Sequence, residues 1–132
     1  MQRLTYSLHQ DSVELLKAFG LSSPQYNILR ILRGAGPSRP GLAAAEIGAR
    51  LLAHAPDLTR LLDRMALQGL VVRARRSGDR RVVTRSITDK GLVLLGTLDA
   101  PLTALHERQL AHLGPERLTA LLALLEAVQS LS

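Results

Sequence analysis

Apolar positions recur along this chain with a helical period everywhere except between Leu70 and Ile87. Leu4, Leu8, Leu15, Leu16 and Phe19 mark a first helix that Gly20 ends. A second begins in "LSSPQYNILRILRGAG": Ser23 can cap, Pro24 takes the first helical position, and Tyr26, Ile28, Leu29, Ile31 and Leu32 form the apolar set. Gly34 to Gly41 is a loop by composition. "LAAAEIGARLLAH" predicts a short helix with Ile47, Leu51 and Leu52 inward. A turn at His54 and Ala55 follows, and Pro56 opens a fourth helix with Asp57 near its positive end. There Leu58, Leu61, Leu62 and Met65 recur at i, i+3, i+4 and i+7 as one buried stripe. Asp57, Thr59, Arg60, Asp63 and Arg64 lie off it, and Gly69 is the expected stop.

The period then drops to two. "LVVRAR" and "RVVTRSI" are rich in β-branched residues and flank "RSGD", which predicts an antiparallel hairpin with Ser77, Gly78 and Asp79 at its tip. Thr88 caps the next helix, "DKGLVLLGTLDAPLTALHERQLAHLG", which Pro101 must kink or restart. A last helix starts near Pro115. Four helices, a hairpin and two helices make a mainly α fold. Two short helices joined by a tight turn before a basic hairpin describe a winged helix-turn-helix. One domain covers 1–132, with a core at 21–88, the wing at 70–87, and flanking helices at 1–20 and 89–132.

Charge sharpens this picture. Arg73 to Arg85 holds six arginines and Asp79, a formal +5 against +6 for all 132 residues. The chain has fifteen arginines but only Lys17 and Lys90. Arginine's planar fork suits phosphates and base edges. A ribbon of this kind beside a recognition helix can follow a DNA backbone and push its tip into the minor groove. Arg73, Arg75, Arg76, Ser77, Arg80 and Arg81 are therefore candidate DNA contacts. The competing reading, a solvated hairpin that only aids solubility, leaves the self-repulsion of so much single-sign charge without a compensating partner.

Within the fourth helix, Arg60 is the better base reader because recognition helices contact bases with their N-terminal residues. Arg64 suits phosphate, Thr59 phosphate or a thymine methyl, and His54 is a phosphate neighbour. Asp57 could accept from cytosine or simply cap the helix. Against these stand local pairs of Arg60 or Arg64 with Asp57 or Asp63, worth only ~0.3 kcal/mol. Asp79 would be repelled by DNA. It reads as the wing-orienting residue that holds either Arg80 or Arg81 and leaves the other for the minor groove.

Other classes find little support. The chain has no cysteine, hence no disulfide or thiolate metal site. His9, His54, His106 and His112 lack ligand spacing, so no metal or other cofactor is expected. Glu14, Glu107, Glu116 and Glu126 are scattered over amphipathic helices, and no nucleophilic triad or phosphate loop is visible, so the chain is not read as an enzyme. "MQRLTYSLHQ" lacks an apolar signal core and "LTALLALLEAV" is too short to span a bilayer, so a cytoplasmic, membrane-free protein is expected.

Taken together, "LTRLLDRMALQGLVVRARRSGDRRVVTRSITDKG" resembles the signature of the MarR family of bacterial transcriptional regulators. Its parts are Thr59-Arg60-Leu61-Leu62-Asp63-Arg64-Met65, Gly69-Leu70-Val71, Asp79-Arg80-Arg81 and Ile87-Thr88-Asp89-Lys90-Gly91. "LSSPQYNILRIL" is similar to the family's second helix. The resemblance implies a homodimer interlocked through helices 1–20 and 89–132, a pseudo-palindromic double-stranded DNA operator, and release by a small, often phenolic or anionic, effector. Two departures stand out: a first helix that starts almost at Met1, and "HAPDLTR" where a serine-rich start is usual.

The residues add detail to two of these implications. Leu118, Leu121, Leu122, Leu124, Leu125 and Val128 make a stripe broader than one small neighbour needs, with Leu4, Leu8 and Leu15 as a complementary edge. Any effector should meet the junction of the second helix with the first and fifth, where Tyr26 and Arg30 lie one turn apart. The alternative makes Tyr26 core and Arg30 solvated. The function expected is a sequence-specific, ligand-responsive repressor. A winged-helix protein-interaction module and a non-specific DNA-binding protein are the alternatives.

Overall fold

The computed structural model describes residues 2–36, 41–51 and 55–130, with the side chains of 2–9 and 128–130 left aside. Statements on His54, on Leu52, and on the side chains of Leu4, Leu8, His9 and Val128 fall outside it.

Helix α1 (Gln2–Ala18) stops as its spacing predicts. The Gly20 N–H bonds to the Lys17 carbonyl and the Leu21 N–H to the Leu16 carbonyl, each at 3.0 Å. This brings buried Leu16 and Leu21 together across the turn. Helix α2 (Ser23–Ala35) begins one residue earlier than its apolar pattern suggests. Its cap is Ser22, not Ser23. The Ser22 hydroxyl accepts from the Gln25 N–H at 3.3 Å, and the Gln25 side chain accepts from the Ser22 N–H at 2.9 Å. The pair forms a reciprocal box that satisfies two orphan donors.

The third helix is shorter than expected because its predicted start is a strand. β1 (Leu42–Ala43) precedes α3 (Ala44–Arg50). The fourth helix, α4 (Leu58–Leu67), starts after Pro56 and Asp57, which form a turn. It closes through Gly69 N–H to Ala66 and Leu70 N–H to Met65, each at 3.0 Å. β2 (Val71–Arg76) and β3 (Asp79–Ile87) are the predicted hairpin. β1 pairs antiparallel with the other edge of β3, setting Leu42 opposite Arg85, so the sheet has order β1-β3-β2.

Helix α5 (Asp89–Leu110) is capped by Thr88, whose hydroxyl accepts from the Gly91 N–H at 3.1 Å and donates to the Gly69 carbonyl at 2.6 Å. It continues through Pro101 without restarting, and the chain breaks instead at a short 3₁₀ turn, Ala111–Leu113. Gly91 explains the closing glycine of the motif. A Cβ there would lie 2.6 Å from the Leu70 carbonyl oxygen and 2.7 Å from Ile87 Cγ1. Only a bare Cα lets α5 leave the sheet at this point.

The core joins all these elements. Ile28, Leu29, Ile47, Leu62, Met65, Leu95 and Leu98 are fully buried in one cluster. The Leu58/Leu61/Leu62/Met65 stripe faces it, with Leu62 and Met65 innermost. The last helix, α6 (Gly114–Ser130), contrasts with this: Leu122, Leu124 and Leu125 are 60%, 66% and 53% exposed, while Leu118 and Leu121 are half-buried. No helix among the described residues is long and apolar enough to cross a membrane.

Candidate nucleic-acid interface

Packing the leucine stripe of α4 inward turns Thr59, Arg60, Asp63 and Arg64 outward, and all four are exposed. Asp57 occupies the N-cap position but makes no side-chain cap bond. Arg60, Arg64 and Asp57 line a cavity of about 370 Å³ with Pro24, Pro56 and Leu61. Among the described residues neither Arg60 nor Arg64 has an ion-pair partner. The local pairing with Asp57 or Asp63 that their spacing allows is therefore not made. Asp63 is instead engaged from the sheet by Arg85.

The wing arginines separate into two groups. Arg76, expected among the DNA contacts, turns back to Glu46 of α3 in a close ion pair. Glu46 also accepts the Ala43 N–H at 2.9 Å, so one carboxylate caps α3 and braces the hairpin. The Ala43 N–H first, and then the Arg76 guanidinium, hold its pKa below the usual carboxylate value. Arg85 is buried at 5% exposure, and its Nη2 donates to Asp63 Oδ1 at 3.3 Å. Sequence reasoning left it out of the contact set. The signal was present in strand phase: Arg85 is two residues from buried Ile87 and shares its face.

Arg73, Arg75, Ser77, Arg80 and Arg81 are exposed. Arg75 donates to the Arg80 carbonyl at 3.0 Å, which ties the strands near the tip. The tip is Ser77–Gly78, with Gly78 at φ +93°, a conformation few other residues adopt. Asp79 chooses Arg81: a single oxygen, Oδ1, accepts both the Arg81 backbone N–H and its Nε–H at 3.2 Å. This is a one-oxygen clasp, not the bidentate fork, and the Arg81 side chain stays 91% exposed. The Arg80 side chain has no partner among the described residues.

Tyr26 and Arg30, the candidate effector residues, lie together. The Arg30 guanidinium carbon sits 5.7 Å from the Tyr26 ring centroid, a cation–π contact. Arg30 is exposed and faces α3, lining a groove with Asn27, Ile31 and Arg50. The junction of α1 with α5 holds a separate cavity of about 500 Å³ lined by Phe19, Leu21, Leu70, Leu94 and Lys90. Lys90 Nζ, at its edge, donates to the Gln68 carbonyl at 2.8 Å, at the end of α4. Among the described residues no group of His, Asp and Glu could hold a metal ion.

Comparison with known proteins agrees with this arrangement. A family model described as MarR family matches residues 19–82. The HTH-type transcriptional regulator TtmR of Methylorubrum extorquens is 41% identical over 85 residues. That match takes in 64% of this chain and 42% of TtmR, so the chain spans under half of that relative. The crystal structure of a MarR transcription factor from Planctomyces limnophilus superposes with a TM-score of 0.73 at 43% identity, covering 96% of this chain and 90% of the other. The transcriptional repressor CouR, solved bound to a 23-mer DNA duplex, gives a TM-score of 0.80 at 28% identity over 97% of this chain and 88% of its own. With the leucine-packed helix α4, the arginine hairpin and the glycine-tight start of α5 all in one fold, the chain belongs to the MarR family of winged-helix transcriptional regulators.

Proposed function

We propose that this chain is a DNA-binding transcriptional regulator that reads a pseudo-palindromic operator as a homodimer and acts as a repressor. The observation that carries the reading is the distribution of carboxylates. Glu46, Asp63 and Asp79 each engage one arginine, while Arg60, Arg64 and Arg80 project from α4 and the wing tip without a side-chain partner among the described residues. Unpaired guanidiniums on a helix and an adjacent hairpin suit one polyanion that meets both. Thr59 and Arg60 take the base edges, Arg64, Arg73 and Arg75 the phosphates, and Arg80 the minor groove. Arg76 supports the wing from behind. CouR, whose solved complex carries a DNA duplex, is a similar fold and supports this assignment.

The exposed leucines of α6 supply a dimer surface. A small amphiphilic anion in the α1–α5 cavity would meet Lys90 and so reach the end of α4, which makes that cavity a better effector site than Tyr26 and Arg30. The test of the central reading is a gel shift with duplex from the region upstream of its own gene and excess unrelated competitor. Retention marks a sequence-reading regulator. Equal displacement by any duplex marks a non-specific binder, and no shift at low salt marks a protein-interaction module.

A further inference from the structure

Arg85 is the least economical residue in the sheet. Its guanidinium is buried, its Nη2 donates to Asp63, and its Nε–H has no partner among the described residues. An unsatisfied buried donor destabilises a fold, and apolar residues of similar volume often replace a buried ion pair without loss. Register makes the position costlier still. Arg85 lies directly opposite Arg73 in the hairpin, and like charges across a strand pair repel. Stability is therefore a poor account of why an arginine stands here.

Its connections suggest another. The Arg85 backbone is held from both sides, by Arg73 of β2 and by Leu42 of β1. At Gly41, just before β1, a Cβ would come within 2.4 Å of the Arg85 carbonyl oxygen, so the chain leading into β1 passes too close to Arg85 for any side chain. The side chain then crosses to Asp63 on the outward side of α4, between Arg60 and Arg64 in sequence. One residue thus joins both edges of the sheet to the recognition helix.

We propose that the Arg85–Asp63 pair is a positioning device that sets the wing in register with the recognition helix, so that groove contact by the hairpin and base reading by α4 are presented as one geometry. The idea rests on the DNA-reading function proposed above. Arg85 touches no DNA, since it is buried. Its effect is on discrimination between sequences, not on attraction to phosphate. Asp63, half exposed on a DNA-facing helix, is at the same time kept from repelling the backbone.

The experiment uses the full chain and a duplex enriched by it from a random pool, with an unrelated duplex of equal length as reference. Arg85→Met keeps an unbranched, apolar stem at this position without the guanidinium and its charge. It should melt cooperatively and hold the unrelated duplex with wild-type affinity and salt dependence. Its preference for the enriched duplex should fall by about ten- to a hundredfold, the range of one misplaced base contact. Adding Asp63→Asn should cost no further preference, because the two residues act as a unit. Wild-type preference in Arg85→Met overturns the proposal. So does a salt slope reduced by about 0.9, which would make Arg85 a phosphate contact. Equal loss on both duplexes also overturns it, reducing the residue to a structural one. If Arg85→Met does not fold, Asp63→Asn alone carries the same expectations. Hydrogen exchange gives a readout without DNA. Amides of β2 and β3 should exchange faster in the variant while α5 keeps its protection, and unchanged exchange in the hairpin refutes the pin. Failure of the wild-type chain to enrich any duplex counts against the DNA-reading function alone.

Discussion

Replacing Arg80 and Arg81 by alanine, one at a time, should weaken operator binding unequally, although the two are adjacent and both exposed. The Arg80 side chain has no partner among the described residues, so its whole guanidinium is available to the minor groove. Losing such a contact should cost ~1–3 kcal/mol, or roughly five- to 150-fold in affinity. If it also neutralises a phosphate, the slope of log affinity against log salt should shrink by about 0.9. Arg81 shares Asp79 Oδ1 through Nε and the backbone N–H, both at 3.2 Å. That clasp is 91% exposed on the arginine side, and exposed pairs of this kind contribute ~0.2–1 kcal/mol at most. Arg81→Ala should then cost less than Arg80→Ala, through a looser tip. Asp79→Ala should give a loss of about fivefold or less, because it removes the same clasp and also takes a negative charge away from the DNA. Fluorescence anisotropy titrations at several salt concentrations, with circular dichroism as a folding control, measure all three. A larger loss for Arg81→Ala than for Arg80→Ala would refute the assignment. Wild-type affinity and salt slope in all three variants would remove the wing from the interface altogether.

Gly91→Ala should destabilise the fold by ~1–3 kcal/mol, since its Cβ would meet the Leu70 carbonyl at 2.6 Å; a thermal melt shows this as a clear drop in midpoint. Glu46 is a carboxylate whose pKa is lowered on folding, so its stabilising contribution is complete above the ordinary value of 4.5 and is lost as pH falls through the depressed one. Wing amides should accordingly lose hydrogen-exchange protection, relative to their intrinsic rates, in acid, and Glu46→Gln should produce the same loss at neutral pH, with protection that no longer depends on pH. The parent chain should sediment as a dimer at equilibrium, and Leu124→Arg on the exposed face of α6 should turn it into a folded monomer.

Features that depend on neighbours in the chain were legible before any fold was known. The leucine stripe of α4 follows from a 3.6-residue period, and it is buried as its spacing requires. The stops at Gly20 and Gly69 and the tip at Gly78 follow from positive φ, which is a local property. The change to β-branched residues at period two announced β2 and β3. Features that depend on approach through space were decided by the tertiary structure. β1 has two residues and no pattern of its own, and it exists because β3 offers a free edge some forty positions later. Strand pairing and the placement of α3 gave Arg76 to Glu46, thirty residues away. Asp79 could have held either neighbour, and the turn geometry brought Arg81 to it. Asp63 had Arg60 and Arg64 within helical reach but pairs with Arg85, 22 positions on, because the pleat of β3 sends that side chain under α4. Sequence spacing states which charges can meet locally, whereas Coulomb attraction at hydrogen-bond range selects among partners only after backbone packing has fixed their distances.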